Sequence, residues 1–458
     1  MLLNALLRVT RFRATQNRAT QNHVNQNHVN QEGNVMKIPA FRSPLFLGSA
    51  ALLLAGIAAV AYPTLSQNGL IINKPGAQPG YVIFGAPDGF AYAISADGKV
   101  ARKWSSSDPR LDLGYTRPNA SGTLLSRVSP SKNPAAATAD QYGETLPANS
   151  VIEMSQDGQT IWKYSDPQRG LHHDMERMDN GNTLLVCSKD LNIPAISKQT
   201  IQDDCVIEVD KSGKVVWEWQ TSDHFDDLEL SPAAKEKIMT GHPVAGQGTG
   251  GQALAVGAPP VHKAYDWAHM NSASFIPKDA GLTDPRFKAG NIIVSFRHLN
   301  TVAVIDRDSK KIVWKIVGMT LGQHNAHMIA TGLPGAGHIL IYDNGNNTIG
   351  DNPRGTEGRF YSRIVEVDPV TSKIVWEYTA EKSNRPIWTF FSHYISSAQR
   401  QPNGNTLVCE GANGRFFEVT PAGEIVWEYV NPFASTAKKV SDNTVFRVAK
   451  VPETWLKK

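Results

Sequence analysis

The chain has 458 residues, of which 41% are hydrophobic and 19% are charged, so it can bury a large core. Its formal net charge is only +4, and no run of Lys and Arg alternates with aromatic residues, which argues against nucleic acid as a partner. A chain of this length approaches the upper limit for a single core unless the fold is closed and repetitive.

Residues 1–35 form a low-complexity leader built around the near-repeat ATQNRATQNHVNQNHVNQ. The segment lacks the apolar side chains whose burial would offset the entropy lost on ordering, so we expect it to be disordered. Met36 follows the leader directly and is a second candidate for the first translated residue.

Residues 36–68 have the features of a signal peptide or a signal anchor. Lys37 and Arg42 precede an apolar run, residues 45–62, and small residues near the end of the run suit a cleavage site. An uncut run is long enough to span a bilayer, with its basic flank in the cytoplasm. We therefore expect residues 69–458 to be exported to the periplasm or the outer face of the cytoplasmic membrane. A buried core helix is the alternative interpretation of the run.

One sequence motif recurs six times along the exported part of the chain. Each copy consists of two β-rich runs that are joined by a short polar turn and ends near a tryptophan, as a β-hairpin would. The copies read AYAISADGKVARKW, VIEMSQDGQTIWKY, VIEVDKSGKVVWEW, VAVIDRDSKKIVWKI, IVEVDPVTSKIVWEY and FFEVTPAGEIVWEY. A second recurrent piece, such as NGNTLLV or AGNIIVS, lies between the copies and supplies another hairpin.

Four strands per repeat and six repeats predict an all-β fold, a six-bladed β-propeller over residues 69–458. The wide gap between Trp217 and Trp314 holds a Gly-rich insert that lacks both motifs, so we interpret it as a loop and not as a seventh blade. The N-terminal GYVIF lacks a first strand, and the C-terminal NTVFRVAKV can supply it. The ring would then close by pairing the two ends, which leaves no exposed edge. We assign the repeated tryptophans to packing between blades.

The chain has three cysteines, and two of them flank the loop between two predicted antiparallel strands. Cys187 ends NTLLVC and Cys205 opens CVIEVD, so cross-strand neighbours could bring their sulfurs within bonding reach. The sequence leaves open whether they form a disulfide. Cys409 is isolated in NTLVC, and we expect it to be a small buried hydrophobic residue.

Histidines recur where the innermost strand of four successive blades would begin. The segments are LHHDMERM, DWAHMNSASFI, GQHNAHMIA and FSHYISSA, and their histidines are His172 and His173, His269, His324 with His327, and His393. Equivalent positions around a ring converge on its axis, so these side chains are expected to cluster at the mouth that carries the long loops. The segment SFRHLN brings Arg297 and His298 to the same side.

This cluster admits two kinds of ligand. Several neutral imidazoles around a channel could bind a metal such as iron. Arg297 and Asn271 favour an anion instead, because a guanidinium keeps its positive charge and repels a divalent cation. Arg, His and Asn together offer hydrogen-bond donors to a group with several equatorial oxygens, such as a transferring sulfuryl or phosphoryl group.

Seven segments, HHD, DWAHMNS, NIIVSFRH, QHNAH, ILIYDNG, FYSRIVEVD and IVWEY, occur in an order that resembles the bacterial arylsulfotransferases over residues 80–450. Members of that family are periplasmic six-bladed propellers that move a sulfuryl group from an aryl sulfate to a phenol without a nucleotide donor. The sequence also contains no GxxxxGK[ST] loop for a nucleotide. The resemblance implies an aryl sulfate donor and a phenolic acceptor as partners, and no metal or diffusible cofactor.

The resemblance implies a role for each candidate residue. His324 would be the nucleophile that becomes sulfated, since a covalent intermediate splits a difficult transfer into two easier steps. The residues expected around the sulfuryl oxygens are His173, His269 and Arg297. The further candidates for substrate binding are Asn271, His172, His327 and His393. Each donor would stabilise the transition state by about 3 kcal/mol, as an oxyanion-hole donor does.

Two features depart from the family pattern. Large members carry an N-terminal β-sandwich used for dimerisation, and residues 63–80 are too short for one, so the oligomeric state stays open. In FSHYISSA, His393 occupies a loop that bears a hydroxyl in other members, which would either alter acceptor choice or mark a branch with altered activity. An exported propeller that is non-catalytic or binds a metal remains the alternative function.

Overall fold

The structure is a computed structural model that describes residues 68–131, 149–241, 264–278, 281–345, 358–435 and 442–456. The described residues belong to one compact unit, Leu65–Lys458. The expected leader and all of the expected export signal except Asn68 lie outside them. No helix within the described ranges is long and apolar enough to cross a membrane.

The described residues are mostly β-strand. The first strands are β1 (Gly69–Asn73), β2 (Tyr81–Gly85), β3 (Ala91–Ile94), β4 (Val100–Trp104), β5 (Leu111–Pro118), β6 (Leu124–Pro130), β7 (Ser150–Met154) and β8 (Thr160–Tyr164). They are followed by β9 (Gly170–Arg177), β10 (Thr183–Leu191), β11 (Ile201–Val209), β12 (Val215–Gln220), β13 (Tyr265–Asp266), β14 (Met270–Phe275), β15 (Ile292–Phe296), β16 (Thr301–Ile305) and β17 (Ile312–Val317). The last are β18 (His324–Met328), β19 (Ile339–Asp343), β20 (Arg363–Asp368), β21 (Lys373–Tyr378), β22 (Ser397–Arg400), β23 (Thr406–Glu410), β24 (Arg415–Val419), β25 (Ile425–Val430) and β26 (Ala449–Val451).

Helical structure is sparse in the described residues. One α-helix, α1, spans Pro232–Thr240 and begins at the N-cap Ser231, whose hydroxyl accepts a hydrogen bond from the Ala234 N–H. The short 3-10 turns are Ser222–His224, Pro285–Phe287, Ala380–Ser383, Ile387–Thr389, Gly411–Asn413 and Glu453–Trp455.

The strands form six antiparallel sheets that surround a central channel, which confirms the predicted six-bladed β-propeller. From the channel outward, the sheets are β26-β2-β3-β4, β5-β6-β7-β8, β9-β10-β11-β12, β14-β15-β16-β17, β18-β19-β20-β21 and β22-β23-β24-β25, called blades 1 to 6 below. The expected ring closure is also confirmed, because β26 pairs with β2 at Val451 and Tyr81. β1 adds a fifth strand to blade 6 by pairing with β25. The repeat motifs do not predict β1, because its sequence, GLIIN, contains neither of them.

The repeated tryptophans link neighbouring blades, as expected. Five indole N–H groups donate to the turn before the outermost strand of the next blade, at 2.8–3.1 Å. These tryptophans are Trp104, Trp217, Trp314, Trp376 and Trp427. The sixth, Trp162, instead lies under the guanidinium of Arg177, 5.1 Å from the centre of its ring.

A second set of contacts between blades consists of ion pairs. The glutamate in the third strand of a blade meets a basic side chain of the next blade in four cases: Glu153 with Arg177, Glu208 with Arg307, Glu366 with Arg400, and Glu418 with Lys450. The last pair joins blade 6 to the closing strand β26, with Lys450 Nζ 2.5 Å from Glu418 Oε2 and both side chains buried.

Cys187 and Cys205 face each other directly across β10 and β11 and are joined in a disulfide, with their Cα atoms 5.0 Å apart. Cys409 is buried and is not in a disulfide, as expected.

Irregularities in the inner strands shape the mouth of the channel. β9, β14 and β18 each show a shift of register against their neighbours. Close to these shifts, three residues other than glycine adopt left-handed backbone, namely His173 (φ 53°), His269 (φ 52°) and Asn325 (φ 52°). Left-handed backbone costs roughly 1–3 kcal/mol for each such residue and is concentrated at functional sites. The bulges beside these residues redirect side chains at the mouth of the channel.

Candidate active site

One ring of equivalent side chains surrounds the channel. In each blade, the first residue of the second strand pairs with one residue of the inner strand, and the ring position lies four residues before that partner. In blade 3, for example, Thr183 pairs with Arg177, and the ring position is His173. The ring consists of Gly114, His173, Asn271, His324, Ser396 and Arg447.

This ring corrects the expected alignment of the four histidine segments. His173 and His324 are equivalent, but His269 lies two residues before the equivalent position, and His393 lies three residues before it. For His269 the alignment was wrong because the bulge in β14 changes the residue count along that strand. His393 lies before the first residue of β22, in the segment that leads into the blade.

Four histidines form a continuous group at this end of the channel. The ring centres of His173 and His269 are 4.7 Å apart, and those of His269 and His298 are 4.6 Å apart. His172 Nδ1 lies 2.7 Å from His173 Nδ1. The structure therefore brings His172, His173 and His269 together with His298, which was expected on the same side.

A buried carboxylate, Asp204, and a partly buried one, Asp266, contact this group. Asp266 Oδ2 is 2.5 Å from Nδ1 of His269, and Asp204 Oδ1 is 3.2 Å from Nε2 of His172. Burial raises the pKa of Asp204 well above its ordinary value, and the nearby Asp266 raises it further. Burial would also raise the pKa of Asp266, but His269 and His298 outweigh it and lower that pKa.

The rings of the flanking histidines are neutral at physiological pH. Burial lowers the pKa of His172 to about 4 and that of His298 to about 3. The pKa of His173 also falls well below its ordinary value, first because of burial and then because of its neighbours His269 and His172.

Arg297 lies in the turn between β15 and β16, beside the histidines. Its backbone N–H donates to His269 O at 2.9 Å, which fixes the turn against the start of β14. Its side chain is 3% exposed, and Nη2 lies 3.5 Å from the backbone oxygen of His393. Burial lowers its pKa to about 10 and Asp266 opposes this shift, so the guanidinium stays positive at neutral pH.

His324 is 1% exposed at the first residue of β18. Its Nδ1 lies 2.8 Å from Asn344 Oδ1 and 3.1 Å from Gly322 O. Burial lowers the pKa of His324 well below its ordinary value, the charge of Arg297 lowers it further, and the Asn344 hydrogen bond opposes them. The ring is thus a neutral imidazole with a positive charge nearby.

Asn271 is fully buried, and its amide is partly engaged in the fold. Nδ2 donates to Gln323 O at 2.7 Å, next to His324, and the backbone oxygen of Asn271 accepts from Arg447 Nη2 at 2.9 Å. At most one amide N–H of Asn271 remains for a substrate.

The structure does not bring the remaining two candidates into the histidine group. His327 instead lines a cavity of about 590 Å³ together with Arg117, Asp174 and Glu176, and burial lowers its pKa to about 4. The ring of His393 packs against Tyr394 at 4.6 Å, and its backbone oxygen lies 3.5 Å from Nη2 of Arg297.

Asp266, His269 and His298 are a set of described residues whose ligating atoms, all within 4.8 Å of one another, could hold a metal ion. His269 Nδ1–H donates to Asp266 Oδ2, and His298 Nδ1–H donates to Asp266 O at 2.8 Å, so each ring already gives one N–H to Asp266. Arg297 also adds a fixed positive charge that opposes a divalent cation. The donor set therefore suits an anion better than a metal.

Four residues of this site were not predicted from the sequence: Asp204, Asp266, Asn344 and Arg447. Asp266 had a local signal, because it precedes His269 by three residues in DWAH. Arg447 would have been found by extending the ring position to the closing strand. The spacing of the histidines does not predict Asp204 or Asn344. Asp204 lies in β11, the third strand of its blade, and Asn344 directly follows β19, the second strand of its blade.

The matched region of a family model covers more than half of the chain, residues 146–432, and the model describes arylsulfotransferases (ASST). The chain belongs to the arylsulfotransferase family. It is 24% identical over 390 residues to the arylsulfate sulfotransferase AssT of Escherichia coli O6:H1. The alignment covers 72% of this chain, and the chain spans 58% of the length of that relative.

Two solved structures show a weak likeness to this arylsulfotransferase-family chain. A protein of unknown function from Bacteroides caccae has a TM-score of 0.47 at 11% identity, covering 82% of this chain and 99% of the other. The virginiamycin B lyase of Staphylococcus aureus has a TM-score of 0.36 at 11% identity, covering 81% and 91%. Neither likeness supports an inference about function.

Proposed function

We propose that this protein transfers a sulfuryl group from an aryl sulfate to a phenolic acceptor, through a sulfated His324 and without a nucleotide donor. The observation that carries the proposal is a buried, neutral His324 close to the positive charge of Arg297. A neutral imidazole is a nucleophile, and a fixed guanidinium attracts an anionic sulfate ester and stabilises its equatorial oxygens. Membership of the arylsulfotransferase family supports the same reaction.

The transfer proceeds in two balanced steps. A ring nitrogen of His324 attacks sulfur, the bond from sulfur to the aryl oxygen breaks, and its electron pair leaves with the phenolate, which then takes a proton. In the second step the acceptor phenol gives up its proton and its oxygen attacks sulfur. The bond from sulfur to nitrogen breaks, and the electron pair returns to the ring.

The other residues of the site have complementary roles in this proposal. Arg297 and His173 donate to the sulfuryl oxygens, and the remaining amide N–H of Asn271 supports them. His269 carries the proton exchanged with the phenols, since the Asp266 carboxylate, 2.5 Å from its Nδ1, balances the charge of an imidazolium. No step needs a metal or a diffusible cofactor.

Intact-mass measurement after incubation with 4-nitrophenyl sulfate tests the proposal. The wild-type protein is expected to gain the mass of one sulfuryl group, and His324→Ala is expected to gain none. His224→Ala is a matched control, because His224 lies outside the channel beside Asp227. A wild-type protein that forms no adduct, or an adduct that survives His324→Ala, would contradict the proposal. Stoichiometric iron or zinc together with no adduct would favour the metal-binding alternative.

We also propose that the propeller is exported. The predicted signal in residues 36–68 supports export, as does the Cys187–Cys205 disulfide, since such bonds persist in oxidising compartments. N-terminal sequencing of the protein from the periplasmic and membrane fractions distinguishes a cleaved signal from an anchor. Recovery in the cytoplasm with reduced cysteines would contradict export.

A further inference from the structure

We propose that Asn344 is a positioning residue that fixes the tautomer of His324, so that Nδ1 keeps its proton and the lone pair of Nε2 is left for the sulfuryl group. The inference rests on the proposed function, because it specifies how the nucleophile of that reaction is prepared.

The orientation of the Asn344 amide follows from its surroundings. Nδ2 donates to two backbone oxygens, Ser392 O at 2.7 Å and Ile395 O at 2.9 Å. A carbonyl oxygen can only accept, so the NH₂ end of the amide must face both of them. Oδ1 therefore points the other way, towards Nδ1 of His324 at 2.8 Å.

The orientation of the Asn344 amide determines which nitrogen of His324 carries the proton. Nδ1 has two oxygen neighbours, Asn344 Oδ1 and, at 3.1 Å, Gly322 O, and both are acceptors. A neutral imidazole places its single N–H where acceptors surround one nitrogen, which leaves the other nitrogen with a lone pair. Since the side chain is buried and its pKa is well below the ordinary value, a second proton is disfavoured.

Asn344 is itself held rigidly. It is fully buried, and its backbone oxygen accepts from Ser362 Oγ at 3.0 Å. The same hydroxyl accepts from the Ser392 N–H at 3.0 Å, which ties it to the segment that leads into β22. A loop of blade 6 thus orients, through one amide, the nucleophile of blade 5.

The chemistry of the amide also suits the reaction. A carboxylate would accept the same N–H, but it would place a negative charge beside an anionic substrate and favour a protonated, non-nucleophilic ring. An amide fixes the tautomer without adding charge. His269 instead has the carboxylate of Asp266 as its partner. The amide partner therefore suits the nucleophile His324, and the carboxylate partner suits the histidine proposed to carry a proton.

Nitrogen-15 NMR of histidine-labelled protein tests the tautomer directly, with His324→Gln to assign the signal. We expect wild-type His324 to be protonated on Nδ1 and Asn344→Leu to show a mixture of tautomers. The burst of 4-nitrophenol from 4-nitrophenyl sulfate should slow by about 10- to 100-fold in Asn344→Leu, since Gly322 O still accepts weakly. Asn291→Leu is the control, because it also removes a buried amide with two hydrogen bonds, far from His324.

A wild-type His324 protonated on Nε2 would overturn the inference, whether or not the variant folds. So would an Asn344→Leu protein with an unchanged tautomer and an unchanged burst rate per folded molecule. A wild-type protein that has the Nδ1–H tautomer but forms no sulfuryl adduct would instead refute the proposed function and leave the tautomer assignment intact.

Discussion

Substitution of Arg297 distinguishes an arginine that binds the sulfuryl group from one that only supports the fold. Its guanidinium can donate two parallel hydrogen bonds to sulfuryl oxygens, whereas a lysine keeps the charge but loses that geometry. We therefore expect Arg297→Lys to slow the sulfuryl-transfer step by about 10- to 1,000-fold while most of the stability is retained. Burst rate and thermal midpoint measured on one preparation check this. A large fall in midpoint, with a normal rate in the folded fraction, would show that Arg297 only supports the blade.

Some residues of the site could be predicted from the sequence, and others could not. His173 and His324 were predicted because repeats place equivalent residues on the channel wall, and Arg297 because SFRHLN follows the second strand of its blade on the side of the long loops. Asn344 and Asp204 were not predicted, because they contact the histidines through the stacking of strands and the packing of blades. Bulges near His269 displaced it from the expected position, and sequence periodicity carries no sign of a bulge.

At the scale of elements, the closing strand β26 depends on one buried ion pair. Lys450→Met leaves Glu418 buried and uncompensated, so we expect a loss of about 3–5 kcal/mol in the free energy of unfolding. Adding Glu418→Gln should recover most of that loss, because the isolated charge is then gone. Lys74→Met, which breaks the exposed pair with Glu424, is the control and should cost at most about 1 kcal/mol. Chemical denaturation of the four proteins measures this, and equal effects of both lysine substitutions would contradict it.

The repeat motifs predicted six blades and the pairing of the chain ends, because each motif encodes a hairpin locally. They did not predict β1, which pairs with β25 without any motif of its own. The ion pairs between blades were also missed, although the glutamates recur in VIEM, VIEVD, IVEVD and FFEV. Their partners come from the next blade, so only the folded ring brings them together.

For the whole molecule, buried histidines predict a loss of stability in mild acid. The pKa values of His172, His298 and His327 fall to about 4, 3 and 4, from an ordinary value of 6.5. Between pH 6.5 and these values the unfolded chain binds protons that the folded chain does not, so stability falls as the pH falls. Each histidine contributes up to about 1.4 kcal/mol per pH unit in that window.

Glu176 acts in the opposite sense, because burial raises its pKa to about 7 and the folded chain keeps a proton that the unfolded chain loses above its ordinary value of 4.5. Asp204, whose pKa burial raises well above its ordinary value, acts in the same sense as Glu176, whereas the lowered pKa values of His173 and His324 add to the effect of the three histidines. Urea unfolding at pH 7, 6 and 5 measures the balance, and we expect the histidines to dominate. His298→Gln should make the dependence shallower. Stability that is constant or increases from pH 7 to pH 5 would contradict this account.

His324 is proposed to carry the sulfuryl group from donor to acceptor, and a chase experiment follows that transfer. Protein sulfated by 4-nitrophenyl sulfate is freed of donor by rapid desalting and then mixed with a phenol. The protein is expected to lose its adduct while one equivalent of sulfated phenol appears. An adduct that persists in the presence of phenol, or a sulfated phenol that forms only when donor and acceptor are present together, would rule out this role of His324.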